Sequence, residues 1–85
     1  MIAVTDLHPS HRDIALLRAV AAGRVQMTRS SEPDLFVDGI ACCDQVAATR
    51  LARIGLVEPG ALAAVGGRAP ARLTALGARV LDEAA

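Results

Sequence analysis

The sequence holds almost no aromatic residues: Phe36 stands alone, without Trp or Tyr. Its core must therefore be assembled from Leu, Ile, Val and Ala, and it cannot wall a small-molecule effector pocket with rings. Lysine is missing too, and all nine basic residues are Arg. That bias either reflects coding composition or serves phosphate and base-edge recognition, where the guanidinium fork outperforms an ammonium. Cysteine occurs only as the adjacent pair Cys42-Cys43. Neighbouring cysteines make no disulfide framework. They also chelate one ion poorly, since structural zinc sites space their cysteines by two to four residues. A set of His8, His11, Cys42 and Cys43 is accordingly disfavoured, and no metal or cofactor is expected. No uncharged apolar run reaches the roughly 18 residues of a membrane span. The start, "MIAVTDLHPSH", lacks the basic and apolar regions of a signal peptide, so a cytoplasmic location is expected. No Gly-rich phosphate loop or nucleophile motif appears, and Asp34 and Asp38 fall on turns, so catalysis is not expected.

What is present is a balanced but unevenly distributed charge. Nine acidic residues offset the nine arginines, which argues against indiscriminate binding of polyanions. Residues 30–49 carry Glu32, Asp34, Asp38 and Asp44 and no base. Residues 50–81 carry Arg50, Arg53, Arg68, Arg72 and Arg79 against Glu58 alone. With 85 residues the chain forms one domain, residues 10–85 behind an extension at 1–9. Chains this short bury only about 60% of their unfolded surface and gain from a partner.

Helical spacing organises "SHRDIALLRAVAAG". Ser10 can cap it, Asp13 can complete a capping box, and Gly23 can end it. The core arc collects Ile14, Leu16, Leu17, Val20 and Ala21; Arg12, Ala15, Arg18, Ala19 and Ala22 lie opposite. From Arg24 the period changes. "RVQMTR" alternates, "SSEPD" supplies turn residues and "LFV" follows, which predicts a hairpin with a loop of about four or five residues. Asp38-Gly39 is a further turn signal.

The spacing then predicts a helix over 43–54. Cys43, Ala47, Ala48, Leu51 and Ile54 share the inward arc, and Gln45, Val46, Thr49, Arg50 and Arg53 face outward, with Cys42 beside them. Asp44 suits the first turn, Arg50 and Arg53 the last. "LVE" reads as a strand, "PGALAAVGG" as a loop with an apolar centre at Ala61–Val65, and "RAPARL" as a returning strand that Pro70 should confine to an edge. Thr74 can cap a last helix, "ALGARVLDEA".

This order of parts resembles the winged helix-turn-helix domain, above all the multiple-antibiotic-resistance-type bacterial regulators and related small bacterial or phage regulators. The resemblance rests on Leu51, Gly55, Leu56 and Val57, which close the recognition helix, and on Leu73, Thr74, Gly77 and Leu81, which leave the wing. It covers roughly residues 10–84. It implies an α+β, winged-helix-like fold of three main helices, with a β-hairpin before the recognition helix and a wing at 56–73. The family's short helix ahead of the recognition helix is replaced here by turn and strand chemistry, and the wing centre is apolar rather than basic.

The resemblance implies a transcriptional regulator that binds double-stranded DNA as a homodimer. Helix 43–54 would enter the major groove, where Arg pairs with guanine, Gln with adenine, and Thr touches phosphate or a thymine methyl. The expected DNA contacts are Gln45, Thr49, Arg50 and Arg53, with Arg68 and Arg72 on the backbone. Leu76, Gly77, Val80 and Leu81 are expected to dimerise, unless they pack on the domain's own first helix. The rival expectation is a winged-helix protein-interaction module that binds no DNA. A continuous basic strip through Arg50, Arg53 and Arg68 favours DNA; acidic residues interrupting it favour a protein partner.

Overall fold

The computed structural model describes residues 9–42, 45–60 and 65–84. Local chemistry sets the first element. Ser10 caps α1 (His11–Ala21): its side chain accepts from the Asp13 N–H while the Asp13 carboxylate accepts from the Ser10 N–H. Both groups of the predicted capping box are thus in place. The chain leaves the helix through Gly23 at φ 78°.

Two hairpins and a wide crossover follow. β1 (Val25–Thr28) pairs antiparallel with β2 (Leu35–Val37). The loop between them, 29–34, is slightly longer than expected. Asp38 and Gly39 both adopt positive φ, 53° and 82°, the geometry of a two-residue hairpin turn. That turn adds a strand not read from the sequence, β3 (Ile40–Ala41), against β2. Next come α2 (Gln45–Arg53), β4 (Val57–Pro59), β5 (Arg68–Leu73) and α3 (Ala75–Ala84). Among the described residues the fold is α+β: three helices and one antiparallel sheet of five strands in the order β3-β2-β1-β5-β4.

Alternation along the strands shows which sheet face the helices cover. Val25, Met27, Leu35, Val57, Ala69 and Ala71 are buried beneath the helices, with Leu17 and Val20 of α1, Ala48 and Leu51 of α2, and Val80 of α3. Gln26, Arg68, Pro70 and Arg72 point to the open face and are exposed. Ala19, placed outward by the helical wheel, is buried, and Ala21, placed inward, is exposed. α1 packs against α2, α3 and β5 at once, so its covered arc extends past a single apolar stripe to Ala19, while Ala21 is the last residue of the helix.

Pro70 does not confine β5 to an edge. Residues 68–70 pair with β1 and residues 71–73 pair with β4, so β5 lies inside the sheet. Its position explains the tolerance. The Pro70 carbonyl accepts from the Gly60 N–H at 2.7 Å, so its nitrogen faces the same neighbour, just where β4 has ended. The missing N–H costs one bond at the end of the ladder and none to β1.

The two motifs behind the winged-helix resemblance meet in space. Gly55, at φ 82°, ends the α2 turn and delivers Leu56 and Val57 into the core. Thr74 then ties back to this turn: its hydroxyl donates to the Gly55 carbonyl and its N–H donates to the Leu56 carbonyl at 3.1 Å. The same hydroxyl accepts from the Gly77 N–H at 3.0 Å, capping α3. A Cβ at Gly77 would collide with the Leu56 backbone. "GLV" and "LTALG" are therefore two sides of one contact between the exit of α2 and the entry of α3.

Candidate functional site

The exposed side of α2 and the segment 29–34 beside it form a groove of about 610 Å³. One wall holds Glu32 and Asp34. The helix side holds Gln45, Val46, Thr49, Arg50, Arg53 and Ile54. The sequence-predicted outward arc of α2 is thus brought together on one surface, but its polar groups already have internal partners.

Gln45 is tied to strand β2. Its Oε1 accepts from the Leu35 N–H at 3.3 Å, and its Nε2 donates to the Leu35 and Cys42 carbonyls at 3.2 and 2.8 Å. The carboxamide fastens the start of α2 to β2. Thr49 donates to the Pro33 carbonyl at 3.4 Å, one turn further along. Arg53 pairs with Glu32 at 3.0 Å on the surface. Arg50 turns the other way and pairs with Asp13 of α1. Asp13 is 1% exposed, so its capping oxygen lies in the core and carries an ion pair as well; its other oxygen, Oδ1, is buried without a hydrogen bond.

The predicted wing contacts lie on the open face of the sheet. Arg68 stacks its guanidinium 3.6 Å from the centre of the Phe36 ring, a cation–π contact. Arg72 pairs with Glu58 across the β4–β5 ladder at 3.1 Å. All six residues expected to contact DNA therefore hold an intramolecular partner, and acids stand between the arginines.

The four expected dimerisation residues divide. Gly77 and Val80 are buried inside the domain, against Leu56 and the core. Leu76 and Leu81 are half-buried and pack on the same core. α3 thus spends this face at home.

Cys42 lies before α2, half-buried against the core, with its N–H donating to the Leu35 carbonyl at 2.9 Å. The helical wheel put it near the surface because it extended the helix over a residue that is not helical. His8, Cys43, Asp44 and the wing centre 61–64 lie outside the described residues. Among the described residues no three His, Cys, Asp or Glu side chains converge as for a metal, and no helix is long and apolar enough to cross a membrane.

A further ion pair lies away from the groove. Arg24 clasps Asp38 with its Nε and Nη2, at 3.1 and 2.6 Å, fixing the β2–β3 turn to the end of α1. These hydrogen bonds, with the positive charge behind them, hold the Asp38 carboxyl below its usual range. The sequence signalled Asp38-Gly39 as a turn but gave no sign of this clasp.

Comparison of the chain with protein-family models, with curated proteins and with solved structures returns no match.

Proposed function

We propose that the domain is a winged-helix-like module that docks a protein on the α2 groove and binds no duplex DNA. One observation carries the reading: the arginines of α2 and the wing form no continuous basic strip. Asp13 and Glu32 neutralise Arg50 and Arg53, Glu58 neutralises Arg72, and Phe36 covers Arg68. Duplex DNA rewards proteins that neutralise many phosphates at once. Here those guanidiniums are set against carboxylates or a ring instead of forming an unopposed row, and Gln45 would have to abandon three hydrogen bonds to reach a base. Val46, in the first turn of α2, is 83% exposed beside Ile54 on this face, which gives the groove an apolar part that a phosphate backbone would not use.

A second reading keeps the duplex as ligand. It is favoured by topology: α2 passes through Gly55 directly into the β4–β5 hairpin, and β5 pairs β1, an arrangement consistent with a winged helix whose 56–73 hairpin is the wing. Topology by itself does not establish function. Fluorescence anisotropy of a labelled mixed-sequence duplex, titrated at low and moderate salt, separates the two. The docking reading expects no rise at either salt. A saturable rise that weakens steeply with salt would overturn it in favour of a DNA-binding regulator.

A further inference from the structure

We infer that the occupant of the α2 groove is a second copy of this chain, in a twofold dimer built on the groove itself. The inference rests on the docking reading above and names the partner.

The groove has two unlike walls. The segment 29–34 contributes carboxylates, Glu32 and Asp34; the helix contributes the Arg53 guanidinium and the apolar Val46 and Ile54, while the Arg50 guanidinium is turned to Asp13. A twofold axis along such a groove sets the segment wall of each copy against the helix wall of the other, because an isologous interface pairs a patch with itself in reverse. Acid then meets base twice. The surface pair Glu32–Arg53, with side chains 72% and 63% exposed, is exchanged for the two equivalent pairs between copies. Exposed pairs are weakly held, so the exchange costs little, and the exposed Val46 is covered in each copy. The chain as a whole has zero net charge, so no long-range repulsion opposes the approach.

The groove is the better candidate for self-association than the predicted α3 face, whose Gly77 and Val80 already sit in the domain's own core. It also places Val46, one of the most exposed large apolar side chains among the described residues, at the contact.

The test is a concentration series of sedimentation velocity on the full chain. The wild-type mass should rise from 8.8 kDa toward twice that value. Val46→Glu should remain monomeric, with circular dichroism unchanged because the position is exposed. Glu32→Arg and Arg53→Glu should each associate at least about tenfold more weakly, since like charges then face each other. Mixing these two variants in equal amounts should restore association to within about threefold of wild type, because each supplies the charge the other lacks. A wild type that stays at 8.8 kDa throughout, a Val46→Glu chain that dimerises normally, or a mixture no better than its components would each overturn the inference. The anisotropy titration is run on the same samples. A monomer that also ignores DNA removes the twofold dimer alone; a protein that binds duplex removes the docking reading itself.

Discussion

Asp13 serves the fold twice, once locally and once across the core. As the third residue of α1 it completes the cap on Ser10, and this was legible in the sequence because capping is local. As the partner of Arg50, 37 positions away, it is a tertiary fact, because nothing in either residue's neighbourhood names the other. Removing Arg50 leaves a buried carboxylate unpaired, which is costly. Arg50 is itself 42% exposed, so water can reach the gap and the loss falls below that of a fully buried pair. Arg50→Ala should cost about 2 kcal/mol, lowering Tm by roughly 10 °C in thermal denaturation. Arg53→Ala, which breaks only a surface pair, should stay within about 0.5 kcal/mol of wild type. Binding tests on this face should therefore use Arg53 variants, because an Arg50 variant confounds recognition with stability.

Asp38 belongs to the same scale. Its folded pKa lies below the usual value of 3.8, so the clasp with Arg24 contributes stability that is complete above that value. The contribution is lost as pH falls through the lower folded value. Asp38→Asn keeps a residue that tolerates positive φ and removes the titrating group. Each measured against its own stability at neutral pH, wild type should lose more than the variant as the pH falls below about 4, as read by denaturant titration at each pH.

At the scale of elements, the helices and the β1–β2 hairpin could be read because their signals are periodic and local. What the sequence misplaced depended on neighbours. Pro70 reads as an edge residue until its nitrogen is found facing the end of β4. Ala19 reads as exposed until α1 is found in contact with two helices and the sheet. Gly77 reads equally as a site for close approach to another subunit or to this one; the structure supplies the Leu56 carbonyl. A methyl there displaces α3 from the exit of α2, so Gly77→Ala should destabilise the domain by about 2–3 kcal/mol, the order of an overpacked core, measurable as a lower urea midpoint with little change in the slope. Were Gly77 instead part of a subunit contact, the substitution would change mass and leave monomer stability intact.

The whole molecule turns on how charge is arranged rather than how much there is. The excess of arginine after residue 49 was visible in the sequence and pointed toward nucleic acid. Folding returns the acidic segment 30–38 to the side of α2 and to the β2–β3 turn, so that Glu32 meets Arg53 and Asp38 meets Arg24. The expected outcome at this scale is a protein that ignores duplex DNA in the anisotropy titration and associates with itself in sedimentation.

By itself, the sequence determined the apolar face of each helix apart from Ala19 and Ala21 of α1, the capping of α1 and α3, the turns at Gly23, Asp38-Gly39 and Gly55, and the outward arc of α2, because each follows from residue spacing or from a conformation few side chains allow. Only the tertiary structure decided that the arc's arginines, glutamine and threonine would be met from within the chain, that β5 would lie inside the sheet, and that α3 would spend Gly77 and Val80 at home. Those outcomes depend on which distant segments the hydrophobic core draws together, and a charge pattern read along the chain carries no record of the partner that folding sets across from it.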